Sequence, residues 1–298
     1  MTCPLCGSPQ ATKLYDLSDG YATVRCGGCG FVHMSPRPTQ DYLNAYYESA
    51  TVYAYGSDHP DDYRNAIEDK KTLIDGFLKA LPDAARSGLA VDYGAGQGAA
   101  VKALSEMGYE AVGIEISSKA RAAAESLFGV TMIDGDLSAC EDDAIALLTM
   151  FDILEHLLEP RAFVETALKK LKPGGAALIG VPNYDALDRM LRGAGSKALI
   201  FPEHVNQFTA SSLRGLFQSC GYKVDYVGSP PPYGVAITLG LRRGLLKTFG
   251  RNPLTFALRD ALVWIKRYLV YPLPNAFVEK SGLFGQSLLI LAHRPESL

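Results

Sequence analysis

Between residues 88 and 228 short apolar blocks alternate with helix-spaced stretches. Leu89–Ala90–Val91 is the first block and runs into Asp92, followed by glycines at alternate positions, Gly94, Gly96 and Gly98. A second strand is predicted over Glu110–Ile116, an alanine-rich helix over Ser117–Phe128, and a third strand over Val130–Ile133. Ala144–Thr149 reads as a fourth strand and Arg161–Leu171 as a helix that the LKPGG turn ends. Ala176–Val181 reads as a fifth strand. A helix over Ser211–Cys220 and strands over Tyr222–Val227 and Gln286–Ala292 complete the series. Strands alternating with helices at this period predict a doubly wound α/β sheet, parallel, with helices on both faces.

The flanks follow other patterns. Tyr63–Ala80 carries Ala66, Ile67, Leu73, Ile74, Phe77 and Leu78 near helical spacing, which predicts a helix packed over the sheet. Tyr42, Tyr46, Tyr47, Tyr53, Tyr55 and Tyr63 crowd the same region. They either pack against helix and ribbon or line a substrate mouth. Residues 229–283 form a basic insertion whose polar residues Thr255, Arg259, Asp260, Lys266 and Arg267 fall on one helical face. A helical lid or dimer surface is one expectation there. Peripheral contact with anionic lipid, or a mouth for an apolar or phosphorylated substrate, is the other. The expected organisation is a zinc ribbon at 1–40, an aromatic helical cover at 41–87, a core at 88–228 and 284–298, and the insertion at 229–283.

Composition removes some function classes. The chain has 298 residues, 48% hydrophobic and 20% charged, as expected of a globular protein with a full α/β core. A net charge of −3 argues against a nucleic-acid binder. No apolar run is long enough to span a bilayer, and MTCPLCGSPQ has neither the basic nor the apolar part of a signal peptide, so the cytoplasm is expected.

Four of the six cysteines, Cys3, Cys6, Cys26 and Cys29, form C-x2-C-x19-C-x2-C, each pair followed by glycine. That spacing suits two knuckles presenting four thiolates to one structural Zn2+. A disulfide framework is the rival, and it fits a secreted mini-domain better. Cys140 and Cys220 are isolated and read as core residues.

Glycines at this spacing let the chain turn sharply, bring bare backbone against a ligand and start a helix close to the strand. Glu115 follows seventeen residues after Gly98, at the tip of the second strand, where an acid can accept hydrogen bonds from ribose hydroxyls. A dinucleotide-binding oxidoreductase shares that feature. The G-x-G-x-x-G spacing is absent, however, because Gln97–Gly98–Ala99 follow Gly96.

Taken together, VDYGAGQG, GIEIS, IDGDL, FDILEHLLEP, LKPGG and FPEHVNQFTASSLRGLFQSCGYKV resemble the class I S-adenosylmethionine-dependent methyltransferases over residues 88 to 228 plus the last strand. The resemblance implies a Rossmann-like sheet with a late antiparallel strand, the cofactor S-adenosyl-L-methionine and methyl transfer to a small molecule at oxygen, nitrogen or carbon. It implies that Gly94, Gly96 and Gly98 lie against the methionine and ribose and that Asp92 meets the amino group. Glu115 would take the ribose hydroxyls, Ile116 the adenine face, and Asp136 with Leu137 the adenine edge. Asp134 is an alternative to Asp136. Met150 and Phe151 would flank the sulfonium.

The ribbon followed by an aromatic helix is similar to a subset that includes sugar C-methyltransferases. Their Glu-His pair matches Glu203–His204, which implies His204 as the proton acceptor and Glu203 as its orienting or substrate-binding partner. His156 is the reserve candidate. Asp152, Glu155 and His156 also resemble the E-x-x-E-H segment of metal-assisted ubiquinone-pathway O-methyltransferases. Two rivals keep the ribbon or the cofactor site but change the function: a zinc-ribbon nucleic-acid methyltransferase, and a binding protein that does no chemistry. The first lacks a basic stripe interleaved with aromatics, and Ser229–Tyr233 matches the [DN]PPY motif of base methyltransferases only in part.

Overall fold

Residues with apolar side chains on both faces have only one stable place, the middle of a covered parallel sheet. Strands β4 (Leu89–Tyr93), β7 (Ile145–Phe151) and β8 (Leu171–Pro182) take that place in a computed structural model of the chain. It describes residues 2–49, 60–193, 196, 199–229 and 287–297. Apart from Ser229, the basic insertion lies outside the described residues, as do Tyr53, Tyr55 and His59. Among the described residues, no helix is long and apolar enough to cross a membrane.

Ahead of the sheet lie β1 (Ala11–Asp16), β2 (Ala22–Cys26), β3 (Val32–Ser35), α1 (Gln40–Ser49) and α2 (Pro60–Leu78). After β4 come α3 (Ala99–Glu106), β5 (Glu110–Ile114), α4 (Ser118–Phe128) and β6 (Thr131–Ile133). Then β7, α5 (Pro160–Lys170), β8, α6 (Leu187–Arg192) and β9 (Asn206–Gln207) follow. The chain closes with α7 (Ala210–Ser219), β10 (Lys223–Gly228) and β11 (Ser287–His293).

The seven-stranded sheet has the order β10-β11-β8-β7-β4-β5-β6. Strands β4 to β8 pair in parallel, and β11 runs antiparallel to both β8 and β10, the late antiparallel strand that the family resemblance implies. The chain leaves β4 toward β5 and β6, then returns to β4's other side as β7. The crevice beyond the carboxyl ends of β4 and β7 is therefore a topological switch point, where open α/β sheets bind ligands. One face of the sheet buries Leu147, Leu178 and Leu291 with Ile74 of α2. The other buries Leu148, Ile179 and Ile290 with Val164 of α5 and Leu213 and Phe217 of α7.

Two differences from the sequence reading have physical causes. The LKPGG segment is not outside the fifth strand: β8 starts at Leu171, which pairs with Ile145, and Ala176 then pairs with Leu147. The intervening residues bulge around Gly174 (φ 73°) while the strand direction is kept. The ribbon, too, is not closed by residues 1–40 alone. Its antiparallel sheet has the order β1-β2-β3-β9, and β9 comes from the distant PEHVNQFT segment, with Val32 opposite Gln207 and His33 opposite Asn206. Phe31 and Phe208 pack at 5.2 Å between centroids, and Cys3, Leu5, Cys26 and Phe31 join the main core.

Candidate active site

The glycine turn is built for close backbone packing on one side and open space on the other. Gly98 begins α3 at φ 80°, and a β-carbon there would lie 2.9 Å from Ala124 Cβ and 3.0 Å from Val130 Cγ2. At Gly96 (φ 51°) a β-carbon would meet nothing within 4 Å, so this residue faces the crevice. Its N–H donates to Glu115 Oε2 at 2.9 Å, and the Ser117 N–H donates to Glu115 Oε1 at 2.8 Å. The carboxylate is thereby fixed just past the end of β5, and each oxygen keeps a further lone pair.

Beside it the Ile116 side chain is 73% exposed, an unpartnered apolar surface on the rim. Arg121 holds this tip by donating to the Glu115 and Ile116 carbonyls and to Asp134 Oδ1. Asp136 takes a capping bond from the Ser138 N–H at 2.7 Å, which holds its carboxyl below the usual range. Burial raises the Tyr93 hydroxyl's pKa, and the charges of Asp136 and Glu115 add to the shift, so the two acids share one rim. Leu137 is buried beneath them. Met150 has no exposed surface and packs in the main core, while Phe151 on the opposite face of β7 is half-buried.

Asp92 is buried at the end of β4 and accepts a 2.6 Å bond from Thr149 Oγ1. Burial pushes its carboxyl up to about 6, against the pull of the Thr149 bond and of Lys70. Lys70 is a site residue that the sequence reading missed. Its Nζ lies 3.5 Å from the Phe151 ring centroid, and Asp92 and Asp152 both act on its charge. The signal was present in α2: Lys70 stands three residues after Ile67 and four before Ile74, within the buried stripe. A cation in an apolar stripe needs a partner below it. Asp152, in left-handed backbone at φ 57°, directly follows Phe151 at the end of β7.

Near the segment after β7 the structure brings together two stretches distant in sequence. The rings of His156 and His204 meet edge to face, 4.9 Å between centroids at 89°. Burial pushes His156 down to about 4, helped by the His204 charge and opposed by a hydrogen bond to the Glu203 carbonyl. Glu155 is buried, neither carboxylate oxygen has a hydrogen-bond partner, and Oε1 lies 3.7 Å from His156 Nε2. Burial, and secondarily Asp152, holds the Glu155 carboxyl well above its ordinary range. One ligand atom each from Glu155, His156 and His204 lies within 4.8 Å of the others, a donor set that could hold a divalent cation. Asp152 is not in that set. Glu203 Oε1 accepts from Tyr46 OH at 2.8 Å, which draws α1 onto this end.

The four ribbon cysteines also converge within 4.8 Å. Cys3 and Cys29 sulfurs are 3.6 Å apart, as are those of Cys6 and Cys26. A disulfide needs about 2.05 Å, whereas tetrahedral thiolates on Zn2+ at about 2.3 Å stand roughly 3.8 Å apart. The observed spacing fits the metal and not the disulfide.

Comparison with known proteins supplies the family. A family model described as a methyltransferase domain matches residues 64–227. A probable S-adenosylmethionine-dependent methyltransferase from Mycolicibacterium smegmatis is 22% identical over 138 residues, 45% of this chain and 52% of its own length. A ubiquinone biosynthesis O-methyltransferase from Methylococcus capsulatus is 28% identical over 135 residues, 42% of this chain and 56% of its own. The chain thus spans about half the length of the curated relatives it matches. Among solved structures, the methyltransferase from a Haloferax volcanii complex with the Trm112 methyltransferase activator superposes with a TM-score of 0.51 at 18% identity. It covers 79% of this chain and 96% of that one, and shows a shared fold.

The burial of Asp92 has a consequence for stability. Its folded pKa of about 6 lies above the unfolded value of about 3.9. Between those two values the folded chain holds a proton that the unfolded chain has released, so stability falls as pH rises through this window and stays lower above it. Two pKa units correspond to about 3 kcal/mol at full effect. Asp92→Asn is expected to raise unfolding free energy at about pH 7.5 by roughly 1–3 kcal/mol and to have little effect near pH 4. Urea denaturation at both pH values checks this, and an equal effect at both would refute it.

Proposed function

The chain belongs to the methyltransferase-domain family, and from that premise we propose that it transfers the methyl group of S-adenosylmethionine to a small-molecule acceptor. The observation that carries the reading is the Glu115 carboxylate, tied to the Gly96 backbone with spare lone pairs beside the exposed Ile116. Glu115 receives the two ribose hydroxyls, Ile116 covers the adenine face, and Asp136 with Leu137 borders its edge. Gly96 leaves room for the ribose and methionine chain, Gly94 brings bare backbone alongside them with Ile153 packed where a β-carbon would lie, and Gly98 closes the turn on α4. Asp92 meets the cofactor's amino group and Lys70 its carboxylate, so each buried charge gains an opposite partner. Phe151 flanks the sulfonium side, and Met150, fully buried on the opposite face of β7, supports that strand end from the core.

When bound, the cofactor supplies a methyl group already activated by its sulfonium. The chain's task is to align an acceptor lone pair and take up its proton. His204 is the proton acceptor, Glu203 orients it or binds substrate, and His156 is the reserve base, its ring fixed by the Glu203 carbonyl. Two sources support a small acceptor: the chain's net negative charge and the O-methyltransferase names of relatives. Oxygen, nitrogen and carbon acceptors all fit this machinery. The ribbon holds a structural Zn2+ on Cys3, Cys6, Cys26 and Cys29. A second reading is favoured by the unpartnered Glu155 carboxylate: a divalent cation held with His156 and His204 would activate an acceptor hydroxyl.

Three measurements test these roles. Glu115→Ala removes two charge-assisted bonds of roughly 1.5–3 kcal/mol each, so calorimetry should show S-adenosylhomocysteine binding at least tenfold weaker with the fold retained. Unchanged affinity would sink the assignment. His204→Ala should slow transfer of labelled methyl to a small-molecule extract by about 10²–10⁴-fold without weakening S-adenosylhomocysteine. Turnover held within a few-fold would move the base to His156. Elemental analysis should find a single zinc, lost in Cys26→Ser and kept in His204→Ala; a second metal lost in His204→Ala would favour the metal-assisted reading instead.

A further inference from the structure

Arg37 stands just past β3, where the ribbon ends. Its Nη1 donates to the Val205 carbonyl at 2.9 Å and to Asn206 Oδ1 at 2.8 Å. Its Nη2 donates to the Leu157 carbonyl at 3.2 Å and to the Leu158 carbonyl. Those acceptors belong to two segments: one contains His156, and the other begins directly after His204. Asn206 repeats the tie, its Nδ2 donating to the Leu154 and Leu157 carbonyls at 3.1 and 2.7 Å and its N–H to the Glu155 carbonyl at 3.0 Å. The ribbon backbone holds the second segment as well, because the Met34 N–H donates to the same Val205 carbonyl at 3.0 Å and β3 pairs with β9.

A charge placed on neutral carbonyls is a costly way to hold a loop, since apolar side chains hold loops without the loss of hydration. What a guanidinium adds is direction: its donors lie in one plane and fix four acceptors at set angles. A lysine ammonium offers three donors from one point and cannot span them. We infer that Arg37 is a positioning residue for methyl transfer, an inference that rests on the histidine pair being the acceptor end of the crevice. From within the ribbon it sets the spacing and angle of His156 and His204.

The test uses the full-length, zinc-loaded chain with Arg37→Ala and Arg37→Lys. In the unsubstituted protein the two imidazole rings are close enough for a nuclear Overhauser effect between their ring protons, assigned with His156→Gln and His204→Gln. That effect should vanish in both Arg37 variants, while S-adenosylhomocysteine affinity stays within about twofold and labelled methyl transfer falls by up to about 10²-fold. Methylguanidinium should restore the ring contact in Arg37→Ala, and methylammonium should not, which a general loosening of the ribbon would not produce. Should Arg37→Ala fail to fold, Arg37→Lys and Arg37→Gln, which keep the aliphatic stem, carry the same readout. A ring contact retained in the folded variants overturns the role of Arg37 alone. Failure of the unsubstituted chain to bind S-adenosylhomocysteine overturns the cofactor reading, and with it the role given to Arg37.

Discussion

The hydrogen bond from the Gly96 N–H to the Glu115 carboxylate joins the turn after β4 to the tip of β5, on one side of the crevice. For that N–H to point at β5, the chain must leave β4 through left-handed backbone at Gly94, Gly96 and Gly98. Glycine adopts that conformation without the strain a β-carbon would bring. The Gly94 and Ala95 N–H groups both donate to the Ile114 carbonyl, so the turn also satisfies the end of β5. Once Glu115 is fixed, Ile116 must project beyond it and Arg121 must bridge to Asp134. One backbone turn thus orders the whole rim on the β5 side.

The other side of the crevice is organised by charge. Asp92, Lys70 and Asp152 meet over the ends of β4 and β7, and Glu155 with His156 lies a few residues further along the chain. Burial shifts each toward its neutral form, so that holding any of them charged costs the fold stability. Such a concentration of destabilising groups is found where a ligand supplies the missing partners. The apolar layers on both faces of the sheet are what the fold sets against it.

Local features were legible in the sequence and distant ones were not. The succession of core strands and helices, the glycine turn, the place of Glu115 at the tip of β5 and the cysteine spacing all depend on residues a few positions apart. Period and spacing report such features directly. Asp134 and Asp136 are equivalent in the sequence, and a tertiary contact separates them, Asp134 pairing with Arg121 while Asp136 caps a turn. Lys70 was overlooked because the apolar stripe of α2 looked complete without it. The pairing of β9 with β3 had no local signal at all, since two residues are too few to show a period. Arg37 carries no local signal either, because its partners lie 120 to 169 positions away.

This split between local and distant contacts falls along the division of the crevice proposed above into a cofactor end and an acceptor end. The proposed cofactor end is assembled from consecutive β-α units, each completed by its neighbour in sequence. The proposed acceptor end is assembled from the ribbon, the segment after β7 and the segment before α7, held by non-local bonds. Stability is uneven across a fold, and regions dependent on few distant contacts open more readily than a continuous core. The ribbon supplies those distant contacts as β3 backbone and a guanidinium, and its own core is continuous with the sheet through Phe31 and Phe208. The two ends can therefore vary separately. Substitutions in the ribbon or α1 can reshape the acceptor end through β9, Arg37 and Tyr46, while the Gly96–Glu115 bond and the packing of α3 on α4 stay as they are.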